Sequence, residues 1–261
     1  MKGKINRLAR IFNPVTGRGL ITAIDHGMAL GPMTGIENPG KVFDILDDYT
    51  DAWLMTKGIF THVYKPKGQT GIILRASGGA TIVGPDITNE SITASVEELL
   101  TLSADGVACS AFIGSPNEHG TLARLSRVAE SCRKWGIPLI GVIGIGHDKE
   151  KKQDARFLGL CARVAAEHGA DIVKIYYTPV DYNKVTGGCP VPIAIAGGPK
   201  CETDQETLEM IHGALEQGAK GIVMGRNIWQ SERPVSLIKA VRALIHDNAS
   251  IKEAGEILNE G

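Results

Sequence analysis

Short apolar, β-prone runs recur along the chain, and amphipathic stretches separate most of them. The runs cover residues 20–25, 52–56, 71–75, 106–113, 138–143, 171–176, 191–196 and 221–224. Helical periodicity covers 95–103, 121–135, 154–168, 204–217 and 235–246. Strands that alternate with helices over short joins run parallel, because each return path needs a crossover. Eight such units predict an α/β fold of the (β/α)8 TIM-barrel type rather than an open doubly wound sheet. Gly136, Gly169 and Gly218 each end a helix just before a strand, where a left-handed residue closes the last turn without a Cβ penalty. Ser250 and Glu253 stand at capping-box spacing and predict a short terminal helix over 250–258. No low-complexity linker interrupts the pattern, so one domain is expected over 1–261.

One position breaks the apolar pattern. Lys174 lies in Asp171-Ile172-Val173-Lys174-Ile175-Tyr176-Tyr177, a run otherwise suited to a covered strand. A cation costs free energy where both strand faces are covered. On alternation, Lys174 shares a face with Ile172 and Tyr176, while Val173, Ile175 and Tyr177 take the other. Desolvation favours the neutral amine, which can attack a carbonyl and form a Schiff base. The plainer alternative is a strand-end lysine that reaches solvent or pairs with Asp171.

Composition narrows the function classes. With 261 residues, 43% of them hydrophobic, there is ample material for one barrel core. A formal net charge of -1 offers no basic surplus for nucleic acid or a membrane surface. No uninterrupted apolar run is long enough to span a bilayer, and residues 1–10 lack a secretory apolar region. The five cysteines form no CxxC pair, which predicts a reduced, cytoplasmic protein. No HxH or HExxH pair occurs among the seven histidines, so no metal site is expected.

Barrel enzymes build their sites at the C-terminal strand ends. Asp25 and His26 follow the first strand; Arg75 and Ser77 end the third; Ser115, Glu118 and His119 follow the fourth. Lys174 lies near the end of the sixth. Gly197 and Gly198 follow the seventh strand, and Gly225 and Arg226 the eighth. Glycine turns there let backbone N–H groups approach an anion, and arginine can add a bidentate contact. A phosphorylated small molecule is the predicted ligand.

Four segments carry a family resemblance: Ile24-Asp25-His26-Gly27, Val173-Lys174-Ile175-Tyr176-Tyr177, Ala196-Gly197-Gly198-Pro199-Lys200 and Gly225-Arg226-Asn227-Ile228-Trp229-Gln230. They resemble the archaeal-type class I fructose-bisphosphate aldolases, a group that includes aminodideoxyheptulosonate synthases and thiolases of phosphorylated autoinducer. Leu8-Ala9-Arg10-Ile11-Phe12-Asn13-Pro14, Ile73-Leu74-Arg75-Ala76-Ser77-Gly78 and Gly188-Cys189-Pro190-Val191-Pro192-Ile193 are most similar to the thiolase branch. The resemblance implies a metal-independent lyase with Lys174 as Schiff-base amine and no separate cofactor. It implies that Asp25 positions or deprotonates substrate hydroxyls; in the mechanism expected from these residues, His26 shares the proton handling with Asp25. It further implies that Gly197, Gly198, Gly225 and Arg226 hold the substrate phosphate, and that the protein forms a ring-based homo-oligomer such as a decamer. Coenzyme A is a co-substrate if the thiolase branch applies.

One departure stands out. The fructose-bisphosphate aldolases carry a tyrosine acid/base near the end of strand five, whereas here the stretch reads Ile140-Gly141-Val142-Ile143-Gly144-Ile145-Gly146-His147. His26, Tyr176 and His147 are the candidates for its role. Two rival readings remain: a phosphosugar isomerase or epimerase with Asp25 as base, and a non-catalytic phosphosugar-binding barrel.

Overall fold

A computed structural model describes residues 2–146 and 150–260. His147, one candidate acid/base, lies outside the described residues. The eight expected strands are present: β1 (Gly19–Ala23), β2 (Ala52–Met55), β3 (Gly71–Arg75), β4 (Gly106–Ile113), β5 (Leu139–Ile145), β6 (Ile172–Tyr176), β7 (Ile193–Ala196) and β8 (Gly221–Met224). They pair in parallel in chain order, and β8 returns to β1, closing the barrel. Three boundaries differ from the pattern reading by two residues, and others by one. β1 stops before Ile24 and Asp25, which frees both for the rim. β5 runs on to Ile145, because β4 is long enough to pair with it as far as Ile113. β7 starts at Ile193, since Pro190 and Pro192 have no N–H to give to a ladder.

Helices Val96–Thr101, Glu118–Trp135, Ala155–Glu167, Asp204–Glu216 and Pro234–His246 occupy the expected crossovers. Pro39–Leu46, Lys57–His62 and Tyr182–Gly188 are further crossover helices of six to eight residues, too short to build a clear periodicity. The terminal helix Ile251–Asn259 carries the full Ser250–Glu253 capping box. Among the described residues, no helix is long and apolar enough to cross a membrane.

Strand alternation divides the core into two layers. Ile21, Leu54, Ile73, Ala108, Ile140, Ile172, Ala194 and Val223 point inward and fill the barrel. Their neighbours, including Val107, Val173, Ile175 and Ile222, point outward against the helices. Lys174 therefore follows Ile172 on the inward face, and Tyr176 follows Lys174.

The N-terminal end of the barrel is closed by the chain itself. Ile11 is fully buried in the interior cluster, with Leu8 and Phe12 packed against it. Glycine starts β3 and β4 because this plug leaves no room for a side chain. A Cβ at Gly71 would lie 2.2 Å from the Arg10 carbonyl oxygen, and one at Gly106 would lie 2.8 Å from Ile11 Cδ1. Gly71→Ala is expected to destabilise the fold by about 1–3 kcal/mol through overpacking. Chemical denaturation should show a lower midpoint with an unchanged slope; an unaltered midpoint would show that the plug yields freely.

Candidate active site

The open, C-terminal end of the barrel holds a cleft of about 270 Å³. The seven residues to which the resemblance assigns roles, Asp25, His26, Lys174, Gly197, Gly198, Gly225 and Arg226, line it, as does Arg75. His119 does not; it is exposed at the start of helix Glu118–Trp135. Glu118 instead accepts a hydrogen bond from the Gly114 N–H at 2.6 Å, a structural contact. Asp171, the alternative partner for Lys174, is paired with Lys4 and accepts from the Leu139 N–H.

Lys174 is flanked in the ladder by Val142 of β5 and Ala194 of β7. These offer no polar partner, and among the described residues the charges that reach the amine are those of Asp25, Arg75 and Arg226; the residue lines the cleft. Burial holds the Lys174 pKa below the ordinary lysine value; Asp25 opposes this, while Arg75 and Arg226 add to it.

Asp25 is almost fully buried, and Arg75 Nη1 donates to its Oδ2 at 2.7 Å. Burial pushes the Asp25 carboxyl up, but Arg75, Lys174 and His26 together outweigh it and hold the carboxyl below its ordinary range. It stays ionised.

Arg75 is itself shared. Its Nη2 donates to Glu90 Oε1 and Oε2 at 2.9 and 3.0 Å and to Ser110 Oγ, and its Nε donates to the Ser77 carbonyl at 3.2 Å. Ser77 Oγ donates to Glu90 Oε2 at 2.7 Å and accepts from the Ser110 N–H at 2.9 Å. Glu90 reaches this place through a two-stranded ribbon, Ser77–Gly78 paired antiparallel with Ser91–Ile92, which folds the connecting loop over the rim. Arg75 repeats the signal of Lys174, a cation ending an apolar strand. Glu90 lies in a polar loop, where a carboxylate gives no signal at all.

His26 opens the short helix Gly27–Leu30. Its ring meets the Trp229 ring edge-on at 5.6 Å, and Trp229 Nε1 donates to the Ala23 carbonyl at 3.0 Å. Nδ1 lies 3.6 Å from Asp25 Oδ1 and has no hydrogen-bond partner among the described residues. Burial lowers the His26 pKa to about 4 despite Asp25, with Lys174 and Arg226 adding to the drop, so the imidazole is neutral at pH 7.

Two turns complete the rim. Arg226 Nη2 donates to the Gly198 carbonyl at 2.6 Å, and Asn227 Nδ2 donates to the Gly197 carbonyl at 2.9 Å. The short helix after β8 thus braces the turn after β7. The backbones are crowded: a Cβ at Gly225 would lie 2.4 Å from the Ala23 carbonyl oxygen, and one at Gly197 would lie 2.7 Å from Asn227 Nδ2. Arg226 Nε is buried without a partner among the described residues. Tyr176 lines the same wall beside Gly198, and burial raises its phenol pKa, so it keeps its proton.

The strand-five position on the inward face is Gly144, and its place is filled from the neighbouring strand. A Cβ at Gly144 would lie 2.4 Å from Phe112 Cδ1. No side chain fits there while Phe112 keeps its position. A larger cleft of about 450 Å³ at the N-terminal end carries polar groups as well. There Asp51 pairs with Arg242 at 3.0 Å and His246 at 2.8 Å, and Asp47 accepts from Trp53 and Tyr64. These groups are matched to one another, and no strand C-terminus opens there. Among the described residues, no group of His, Cys, Asp or Glu is placed to hold a metal ion.

A parallel eight-stranded barrel with charged groups converging on its open rim has the architecture of a barrel enzyme whose site lies at the C-terminal strand ends. Residues 19–231 match the DeoC/LacD family aldolases, and the chain belongs to that family. It is 41% identical over 258 residues to a 3-hydroxy-5-phosphonooxypentane-2,4-dione thiolase of Enterobacter sp., a match covering 99% of this chain and 86% of the relative. It is 40% identical over 255 residues to an uncharacterized aldolase of Pasteurella multocida, covering 98% and 87%. An archaeal fructose 1,6-bisphosphate aldolase superimposes with a TM-score of 0.84 at 29% identity, over 94% of this chain and 99% of that one. Another archaeal fructose-1,6-bisphosphate aldolase, solved with its catalytic lysine covalently bound to the carbinolamine intermediate, gives a TM-score of 0.83 at 28% identity, covering 93% and 99%.

A lysine with a lowered native pKa weakens folding, because the unfolded chain binds a proton that the native state does not. Between the two pKa values the unfolded state binds more protons, so wild-type stability rises with pH there. Lys174→Met removes this penalty and is expected to stabilise the fold by about 1–4 kcal/mol. The gain should be largest below the native lysine pKa and shrink as pH approaches the free lysine value. Urea unfolding at several pH values checks it; a less stable variant would show that the amine is well paired.

Proposed function

We propose that this aldolase-family enzyme cleaves or forms a carbon–carbon bond in a phosphorylated ketose or dione through a Schiff base on Lys174. The observation that carries the proposal is the Lys174 amine: inward on β6, flanked by Val142 and Ala194, with the ionised Asp25 across from it. Attack by the neutral amine on a ketone and loss of water give an iminium. As the adjacent carbon–carbon bond breaks, the iminium takes up its electron pair and becomes an enamine, while the hydroxyl on the departing carbon gives up its proton to a base and becomes a carbonyl. Protonation and hydrolysis then return the amine.

Asp25 is suited to be the fixed anion beside the iminium and to orient a substrate hydroxyl. Tyr176 and His26 line the same cleft in their neutral forms, a phenol with a proton to give and an imidazole with one nitrogen free to accept. The braced turns at Gly197-Gly198 and Gly225-Arg226, with the unpartnered Arg226 Nε, suit the substrate phosphate.

Within this class, the phosphorylated dione named for the thiolase relatives is the favoured substrate. The observation favouring it is Phe112, which fills the space in which a strand-five tyrosine would stand. In that reaction the iminium forms at the ketone next to the phosphate-bearing carbon. A thiol acceptor, for which we propose coenzyme A, adds to the remote acetyl carbonyl, and cleavage transfers the acetyl group to sulfur. The archaeal fold relationship keeps a second reading in view, aldol cleavage of fructose 1,6-bisphosphate.

Borohydride added with dihydroxyacetone phosphate is expected to leave a mass adduct on the peptide containing Lys174. No adduct, or one on another lysine, would overturn the mechanism. Lys174→Arg keeps the charge but not the nucleophile and should lose more than about 10³-fold in rate; retained activity would favour an isomerase that uses Asp25 as base. Comparing acyl transfer to coenzyme A with cleavage of fructose 1,6-bisphosphate separates the two substrates. Arg226→Ala should raise KM for the phosphorylated substrate by about 10–100-fold, the worth of one hydrogen bond to a charged group; an unchanged KM would move the phosphate elsewhere.

A further inference from the structure

The loop carboxylate Glu90 has no role in the reading above, yet it is the most heavily engaged partner of Arg75. It is 6% exposed, contacts Nη2 with both oxygens, and receives a third hydrogen bond from Ser77. Arg75 and Glu90 form a buried ion pair in which the guanidinium is always charged. Counting formal charges, Asp25 and Glu90 contribute two negatives against the single positive of Arg75. The cluster is therefore left one negative charge in excess, in the wall that faces Lys174.

The other groups around the amine do not cancel this excess. His26 is neutral, Tyr176 keeps its proton, and the strand neighbours Val142 and Ala194 are apolar. Lys152 Nζ lies 5.1 Å from the Tyr176 ring. Among the described residues, Arg226 is the other cation whose charge reaches the amine; it is turned toward the Gly198 carbonyl, on the side of the cleft proposed for the phosphate. A substrate phosphate would meet that charge. The unmatched negative charge is then available to a cation formed at Lys174.

We infer that Glu90 is a positioning residue that aims Arg75 at Asp25 and supplies the excess negative charge which the Lys174 iminium neutralises. This deepens the Schiff-base reading and rests on it. Without Glu90, Arg75 would neutralise Asp25 completely, and the iminium would form beside a site with no net anion. Glu90 does not touch the reacting carbon; it acts through the guanidinium, whose Nη1 and Nη2 face Asp25 and Glu90 respectively. Ser110 and Ser77 lock the same guanidinium so that it cannot turn away from either carboxylate.

The test uses the full-length enzyme and two readouts. The first is the pH at which Lys174 is half-labelled by trinitrobenzenesulfonate, followed on its own peptide by mass. The second is the rate of borohydride trapping with dihydroxyacetone phosphate at pH 7. Glu90→Gln keeps the shape and removes the charge. It is expected to lower the labelling midpoint by about one pH unit and to slow trapping about tenfold. Glu90→Asp keeps the charge at shorter reach and should restore the midpoint while trapping stays about threefold slow. A role confined to packing would lower thermal stability and leave the midpoint where it was.

An unchanged midpoint in a folded Glu90→Gln variant overturns the inference. Should the neutral variant fail to fold, Glu90→Asp carries the test: trapping as fast as wild type overturns the positioning role. The amine labelling needs no Schiff base. If wild type is never trapped, the mechanism proposed above falls, and the midpoint shift still decides whether Glu90 governs the charge at Lys174.

Discussion

The rim is organised around one desolvated amine with conflicting needs. To attack a carbonyl it must be neutral, which the apolar neighbours Val142 and Ala194 favour. In the proposed mechanism the amine then becomes a cationic iminium, which the same neighbours disfavour. A plain buried carboxylate beside it would ease the second state but protonate the amine in the first. Arg75 moderates the conflict: it draws on Asp25 from one side and Glu90 from the other, so neither carboxylate is fully committed to the lysine. The amine faces a tempered negative field that strengthens its hold only when a cation forms. The helices, plug and turns keep that geometry in place.

How much of this was legible in the sequence depended on how local each cause is. Strand periodicity and glycine-ended helices depend on residues close in sequence, and the eight strands emerge with boundary shifts of a residue or two. Lys174 announces itself because a charge stands alone in an apolar run, and its inward face follows from parity with Ile172. Asp25 and Arg226 follow because strand ends become rim positions once the barrel is recognised. Arg75 gave the same signal as Lys174, yet its role depends on two carboxylates 50 and 15 residues away. Glu90 was invisible because the ribbon that buries it is only four residues of pairing. His119 illustrates the opposite error: it follows a barrel strand in sequence, but the turn at Gly114 and Ser115 sends it outward.

The absence of a strand-five tyrosine was readable as a gap. That the gap is filled was not, because Phe112 and Gly144 are far apart in sequence and neighbours only across the β4–β5 ladder. The two form a single packing unit: the ring exists where it does because the facing residue has no side chain.

That pairing constrains substitution. In this chain a side chain at residue 144 collides with the ring at residue 112 unless that ring moves. Shrinking the ring first opens a void, and adding the phenol first forces an overlap. A phenol at residue 144 therefore calls for a second change at residue 112, which couples the two positions.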